Sequence, residues 1–145
     1  MDTAHPAAVA ARTAMNAVAA ADRDAWLACY ADDAVLHDPV GGSPLDPEGA
    51  GMRGRDALER FWQQAIAANQ VSFDVAAVHA AGSEAAVVAT VTTRFPHGAV
   101  ATYDGVFVYT VDDDRRIVSL RAYWDVQSLL SSLGAAPASA AGAAG

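Results

Sequence analysis

Asp38 is the residue whose type and setting most clearly indicate chemistry. It follows the apolar run Ala34–Leu36 and His37, and Pro39 comes directly after it. Proline fixes its own backbone angle and biases the residue before it toward extended geometry. Because side chains alternate along a strand, Asp38 shares a face with Leu36 and Ala34. A carboxylate on an apolar face needs a polar partner or is there to do chemistry, so Asp38 is the first candidate for a functional site.

The composition narrows the classes of function that this chain can serve. Its 145 residues suit one domain, and an apolar content of 53% is ample for a core. The net charge is −8 and all nine basic residues are arginine, which makes nucleic acid and anionic membrane surfaces poor partners. The chain shows no metal-ligand spacing of His and Cys and no glycine-rich phosphate loop, so we expect no metal and no cofactor. No apolar run reaches the roughly 20 residues of a membrane span, and we expect a cytoplasmic protein.

Hydrophobic periodicity and turn residues predict the first elements of the chain. Helix-forming residues fill 7–21, and Asp22 can cap a second short helix. The strand 34–38 follows. Residues 39–54 are rich in proline and glycine and form a loop whose length is typical of functional loops. Residues 55–69 show the spacing of an amphipathic third helix.

Four strands joined by short turns are predicted for the rest of the chain. These β-branched and aromatic segments are residues 71–79, 85–95, 99–111 and 116–124. Strands this close in sequence pair antiparallel. The order predicts an α+β fold in which three N-terminal helices pack on the concave face of a strongly curved, mostly antiparallel sheet. We expect a single domain over 1–133 and a disordered Ala- and Gly-rich tail over 134–145.

Four parts of the chain carry a resemblance to a known family. They are Ala21–Asp24, Tyr30–Ala34 with the following Asp38–Gly41, Arg53–Leu58 and Leu120–Trp124. Together they resemble the ketosteroid isomerase branch of the NTF2-like (SnoaL-like) superfamily. The resemblance implies an NTF2-like cone whose pocket holds a small apolar molecule, steroid-like or polyketide. It also implies catalysis without a cofactor and a homodimer formed through the outer face of the sheet.

The resemblance assigns roles to two carboxyl groups. In ketosteroid isomerases one aspartate moves a proton, while a tyrosine and a protonated aspartate bind the developing oxyanion. By resemblance, Asp38 is the general base and Asp104 is the protonated donor. Asp104 lies in a strand otherwise built of Val, Phe and Tyr, where a carboxyl tends to stay neutral. The predicted function is a steroid Δ-isomerase that moves a proton from carbon next to a carbonyl to a position two carbons away.

The remaining site residues follow from the same resemblance. The family's tyrosine on the first helix aligns with Ala14, which has no side-chain donor, and its tyrosine on the third helix aligns with Trp62. Tyr30 matches a position that is Tyr or Phe in the family, so it is the remaining candidate hydroxyl donor. The residues expected to contact the substrate are Tyr30, Trp62, Phe61, Val106 and Trp124.

Two other functions stay open at this point. The same cone could bind a steroid-like or polyketide ligand without turning it over, because Ala14 replaces the family's tyrosine. A polyketide epoxide hydrolase or cyclase of the same superfamily is the third possibility. That chemistry calls for a second acid on the third helix, where the inward-facing candidates are Gln63 and Gln64.

Overall fold

A computed structural model describes the backbone of residues 5–141 and the side chains of residues 5–133. Within that part of the chain, the helices are α1 (Pro6–Ala19), α2 (Arg23–Ala28), α3 (Arg55–Phe61) and α4 (Val126–Ala141). The strands are β1 (Tyr30–His37), β2 (Met52–Arg53), β3 (Gln70–Ala81), β4 (Glu84–Arg94), β5 (Val100–Val111) and β6 (Ile117–Tyr123). A π-helical turn, Trp62–Ile66, extends α3.

The six strands form one curled sheet in the order β2-β1-β6-β5-β4-β3. Strands β3 to β6 pair antiparallel in chain order, as the short turns predict. β1 is the exception, because it pairs with β6 in parallel. Helices together with one curled sheet confirm the predicted α+β fold. The parallel pairing sets the C-terminal ends of β1 and β6 side by side, at the position of Asp38.

The first two helices begin where the sequence supplies capping side chains. His5 Nδ1 accepts the Ala7 N–H at 3.1 Å, and an Asp22 carboxylate oxygen accepts the Ala25 N–H at 3.1 Å. The buried side chains of α1 are alanines and Met15, which allow the helix to approach β3, β4 and β5 closely. Within the described residues, no helix is long and apolar enough to span a membrane.

The loop after β1 is held against that strand. Gly51 has φ +95°, and a Cβ there would lie 2.8 Å from the His37 ring and 2.8 Å from Val35, so glycine permits the close approach. Its N–H donates to an Asp46 carboxylate oxygen at 2.9 Å. The short strand β2 then pairs with β1, although the sequence predicts loop throughout this segment. The loop therefore stays close to the end of β1.

The C-terminal helix α4 covers an edge of the sheet that β6 leaves open. Pairing between β5 and β6 ends at Val106 and Tyr123, so β5 residues before Val106 have no β6 partner. There the Thr102 N–H donates to Ser132 Oγ at 2.8 Å. The helical backbone continues to Ala141, through most of the segment expected to be disordered. Residues 142–145 lie outside the described residues, and the domain boundary at 133 stays a prediction.

Arg55 connects three elements near the start of β1. Its guanidinium donates to the Leu27 carbonyl oxygen at the end of α2. It also donates to the Tyr30 carbonyl oxygen at 3.1 Å, and it lies 3.5 Å from an Asp32 carboxylate oxygen. One side chain at the beginning of α3 therefore fixes where α2 ends and where β1 begins.

We expect Arg55→Ala to lower the free energy of unfolding by about 1.5–3 kcal/mol, because two carbonyl groups lose a charged donor. The matched control is Arg53→Ala. That arginine is exposed and donates to the Asp33 carbonyl oxygen at 3.3 Å, so we expect a change within about 0.5 kcal/mol. Urea unfolding of both variants measures the difference. Equal losses would contradict the connecting role of Arg55.

Candidate active site

A cavity of about 360 Å³ lies between the helices and the inner face of the sheet. This volume falls in the range of small-molecule sites. Most of its wall is aromatic or aliphatic, with Trp26 and Phe61 on one side and Phe73, Phe107 and Leu120 on the other. The polar side chains in the wall are Asp38, Ser43, Gln64, Asn69, Thr93 and the tyrosines Tyr30, Tyr103 and Tyr109. The cavity therefore suits an apolar molecule that carries few polar groups.

Asp38 is the only carboxyl group among the described cavity-lining residues. It comes directly after β1, whose Leu36 is fully buried and anchors the strand. Leu36 is in register with Leu120 of β6, so Asp38 lies beside Ala122. The Val40 N–H donates to the Ala122 carbonyl oxygen at 2.8 Å and fixes the turn. These contacts hold the carboxyl in the cavity wall.

The indole of Trp124 is the hydrogen-bond partner of Asp38. Its Nε1–H donates to Asp38 Oδ1 at 2.6 Å. Burial raises the pKa of Asp38 to about 6, and the indole hydrogen bond offsets part of that rise. At neutral pH the carboxylate is mostly ionised and can accept a proton. A pKa this close to neutrality suits a group that both takes and returns a proton.

Three phenol groups share the cavity with Asp38. Burial raises the pKa of Tyr30, Tyr103 and Tyr109 above the ordinary value, and the nearby Asp38 charge raises each further. The Thr93 hydroxyl beside Tyr103 offsets part of its rise. All three phenols therefore keep their protons at neutral pH and can donate hydrogen bonds. The Tyr103 ring also packs against the indole of Trp124, with ring centroids 4.4 Å apart and the ring planes tilted by 33°.

The structure brings four of the seven predicted site residues into this cavity. Asp38, Tyr30, Phe61 and Trp124 all line it. Trp62 does not: only 3% of it is exposed, and its ring packs on Trp26 with centroids 5.3 Å apart. Trp62 therefore supports the wall from behind and does not contact the cavity.

Asp104 and Val106 lie on the outer face of the sheet, which corrects the prediction that they face the pocket. Asp104 is exposed, and its Oδ1 accepts the Thr90 hydroxyl at 2.6 Å. Val106 is 36% exposed. The alternation predicted along β5 is correct, but the predicted inward side is wrong, because both faces of the strand carry apolar residues. The inner face of β5 is the one with the aromatic residues Phe107 and Tyr109.

Several cavity residues were missed by the sequence reasoning. Tyr103, Phe107 and Tyr109 share odd numbering along β5, and this clustering of large aromatics could have identified the inner face. The α4 residues Leu129 and Leu130 also line the cavity. They precede an Ala-rich segment whose composition resembles a disordered tail. Among the described residues, no group of three His, Cys, Asp or Glu side chains could hold a metal ion.

The fold and the cavity define a small α+β protein with an apolar site, in which Asp38 is the one carboxylate that the described residues contribute. The chain belongs to the SnoaL-like family, whose domain model matches residues 11–120. It is 37% identical to a steroid Delta-isomerase from Nocardioides simplex over 110 residues, covering 76% of this chain and 82% of that protein.

Solved structures agree with this placement. A Delta 5-3-ketosteroid isomerase from Mycobacterium sp. superposes with a TM-score of 0.82 at 37% identity, covering 86% of this chain and 96% of that one. A Mycobacterium tuberculosis protein in complex with estradiol-17beta-hemisuccinate gives 0.81 at 32% identity, covering 86% and 97%. These similarities support the ketosteroid isomerase-like branch of the family.

The raised pKa of Asp38 predicts a pH-dependent stability. An unfolded aspartate has a pKa of about 4, whereas the folded value is about 6. Ionisation of Asp38 therefore lowers the free energy of unfolding. This loss of stability is absent below about pH 4, grows between about pH 4 and pH 6, and stays constant above about pH 6. Relative to Asp38→Asn, the wild type should lose up to about 3 kcal/mol of stability across that window.

Denaturant unfolding of wild type and Asp38→Asn between pH 4 and pH 8 measures this loss. In a Trp124→Phe background, the pH midpoint of the stability loss should move above about 6, because the indole donor that favours the carboxylate is gone. A stability difference that does not change with pH would contradict the buried position of Asp38.

Proposed function

We propose that this protein is a steroid Δ-isomerase-like enzyme in which Asp38 is the general base. The observation that carries the proposal is the Asp38 carboxylate, the only one among the described cavity-lining residues. It is hydrogen-bonded by Trp124 at 2.6 Å, and its pKa is raised to about 6. The similarity of this chain to a steroid Delta-isomerase at 37% identity supports the same reaction class. The substrate is a steroid-like ketone with a carbon–carbon double bond near its carbonyl.

The proposed reaction needs only proton transfer. Asp38 removes a proton from the carbon next to the carbonyl, and the electrons of the broken C–H bond move toward the carbonyl oxygen to give a dienolate. The protonated Asp38 then returns the proton two carbons further along, and the conjugated enone forms. Every atom of the substrate is kept, and no co-reactant is consumed. The apolar wall excludes water, which protects the dienolate from competing protonation.

The stabilising donor for the dienolate oxygen is assigned to the phenols of the cavity. Asp104 has no part in this proposal, because its carboxyl is exposed on the outer face and bonded to Thr90. Phenols whose pKa is raised keep their protons and donate a hydrogen bond to an oxyanion without transferring the proton. The cavity phenols would also replace the hydroxyl donor of the family's first-helix tyrosine, whose position is Ala14 in this chain.

We expect Asp38→Asn to lower the rate of isomerisation of a Δ5-3-ketosteroid by about 10²–10⁴-fold, because the general base is lost. Formation of the conjugated enone is followed by its ultraviolet absorbance. For the wild type, kcat/KM should rise with pH up to about 6 and then level off, since the base must be ionised.

Asp104→Asn is the matched control for this experiment. It makes the same chemical change on the outer face of the sheet, so we expect the wild-type rate. A loss in Asp104→Asn with an unchanged rate in Asp38→Asn would reverse the two roles and overturn the proposal.

A second candidate function is steroid binding without turnover. It is favoured by the absence of a second carboxyl among the described cavity-lining residues, and a similar protein has been solved with an estradiol derivative bound. Tight binding of a Δ5-3-ketosteroid by a wild type that produces no conjugated enone would establish it. Epoxide opening ranks lower, because Gln64 and not an acid lines the cavity from the extension of α3.

A homodimer through the outer face of the sheet completes the proposal. Val88, Val106 and Tyr123 are cross-strand neighbours on β4, β5 and β6. They are 37%, 36% and 46% exposed and make a continuous apolar row. Asp104 and Arg121 place opposite charges on the same face, so a second copy related by two-fold symmetry can bury the row and pair the charges.

We expect Val106→Glu to convert a dimer to a monomer, because it places a charge at the centre of the apolar row. The matched control is Val9→Glu on α1, at a side chain that is 44% exposed and outside the sheet face. Light scattering after size-exclusion chromatography measures both masses. A monomeric wild type would refute the interface.

A further inference from the structure

The direction of the Trp124 indole is not set by the strand that precedes it. Pairing between β5 and β6 ends at Val106 and Tyr123, so Trp124 comes one residue after the last paired position of β6. The helix α4 begins only at Val126. The half-buried indole nevertheless points its Nε1–H at Asp38 Oδ1, 2.6 Å away. Because a hydrogen bond weakens when its donor turns away, the indole needs a support outside the backbone pairing of β6.

The ring of Tyr103 is that support. Its centroid lies 4.4 Å from the centroid of the Trp124 indole, with the two planes tilted by 33°. This is the shortest centroid distance among the aromatic pairs of the described residues. Aromatic rings at such a distance attract each other beyond the burial of their surfaces. The indole therefore rests against Tyr103 on one side while its N–H faces Asp38.

Tyr103 is itself held by the central strand β4. Val91 lies directly opposite Tyr103 in the register of β4 and β5, and Val91 is buried. Thr93, two residues further along the same face of β4, is also buried. Its hydroxyl lies beside the phenol oxygen and offsets part of the rise in the pKa of Tyr103. Tyr103 therefore joins the continuously paired part of the sheet to a tryptophan beyond the end of β6.

Gly105 leaves the space that this packing needs. It lies between Tyr103 and Phe107 on the inner face of β5. A Cβ at Gly105 would lie 3.1 Å from the Tyr123 carbonyl oxygen and 3.2 Å from the Phe107 ring. The first contact would press on the peptide group directly before Trp124. A glycine in a strand permits such close approach, so the approach to Trp124 depends on a small residue beside the large ring.

We propose that Tyr103 is a positioning residue that keeps the Trp124 indole directed at Asp38. It acts through Trp124, by holding the hydrogen-bond donor against the carboxylate. The packing of the Tyr103 ring carries this role, and its hydroxyl group is not required for it. The effect on turnover rests on the proposed function, in which Asp38 is the base. The effect on the indole hydrogen bond does not depend on turnover.

Nitrogen–proton NMR of the tryptophan indoles tests the positioning role directly. Trp26, Trp62 and Trp124 are the three tryptophans of the chain, and Trp124→Phe identifies the signal of Trp124 by its loss. In the wild type we expect this signal to shift with pH around a midpoint of about 6, as Asp38 ionises. Asp38→Asn should abolish that response, which separates it from the titration of the neighbouring His37.

Tyr103→Leu keeps apolar bulk at this position and removes the flat ring. We expect the Trp124 signal to lose most of its pH response in this variant and to keep it in Tyr103→Phe, which restores the ring. The matched control is Phe73→Leu, the same kind of change on β3, where the ring meets Phe107 edge-on with centroids 6.4 Å apart. It should leave the Trp124 signal in place.

The signals of Trp26 and Trp62 report whether each variant is folded. Their unchanged positions in Tyr103→Leu show that the helical side of the cavity wall is intact. If the leucine variant unfolds, Tyr103→Met gives the same test with a longer side chain. A Trp124 signal that keeps its full pH response in a folded leucine or methionine variant overturns the inference.

A double-mutant cycle on the Asp38 carboxyl measures the coupling between Tyr103 and Trp124. The other titratable groups that line the described cavity wall are the phenols of Tyr30, Tyr103 and Tyr109, which keep their protons over the range measured. Trp124→Phe alone should raise the midpoint of the carboxyl carbon signal by about one pH unit. In a Tyr103→Leu background the same change should move it by less than about 0.3 of a unit. Equal shifts in both backgrounds would show an indole placed without Tyr103.

Turnover separates this inference from the proposed function. If the wild type isomerises a Δ5-3-ketosteroid, Tyr103→Leu should move the rise of kcat/KM upward by about one pH unit and lower it roughly 5-fold at pH 6, whereas Tyr103→Phe should follow the wild type. An active wild type whose indole signal and pH profile survive Tyr103→Leu overturns the positioning role and leaves the proposed function standing. An inactive wild type whose indole signal depends on the Tyr103 ring overturns the isomerase and supports the positioning role.

Discussion

The desolvation of one carboxylate is the constraint on which this structure depends. Removing Asp38 from water destabilises its charged form. The indole N–H of Trp124 donates a hydrogen bond to it, and the described cavity-lining residues include no cation. A guanidinium in place of the indole would depress the pKa and leave a weak base. A wholly apolar surrounding would leave the carboxyl protonated. The Trp124 hydrogen bond lies between these extremes and gives a group that can exchange a proton near neutral pH.

The backbone arrangement around Asp38 places the indole donor beside the carboxylate. The parallel pairing of β1 with β6 aligns the ends from which Asp38 and Trp124 extend. Arg55 fixes the beginning of β1 by binding the Tyr30 carbonyl oxygen, so the same contact also sets the position of the Tyr30 ring. Tyr30 and Asp38 therefore lie at opposite ends of β1.

The fold could be predicted from the sequence where local chemistry was decisive. Asp22 marks the start of α2, the short turns give an antiparallel run of strands, and Pro39 after an apolar segment locates Asp38. The face of β5 that lies inside was harder to predict, because β5 has Val106 on one face and Phe107 on the other. Period-two alternation groups residues into faces, but only packing against helices decides which face is inside.

The cavity wall could be predicted only in part, for a related physical reason. The mutual position of Tyr30, on β1, and Tyr109, on β5, depends on strand order, which no local pattern encodes. The leucines of α4 join the wall because β6 is shorter than β5, and that difference in length is a tertiary property. Tyr30 and Trp124 were predicted because the family resemblance marks their positions, whereas Tyr103, Tyr109 and the leucines of α4, which no motif marks, were not.

The contact between Asp38 and Trp124 joins residues 86 positions apart, and this has a consequence for the order in which the molecule assembles. Contacts of such long sequence separation form late, because a large loop must close first. During synthesis, Asp38 leaves the ribosome long before β6 exists. Until that strand arrives, the carboxylate has neither its indole partner nor its apolar surroundings and behaves as an ordinary hydrated aspartate. The raised pKa of this group is therefore acquired only once β6 has joined the sheet.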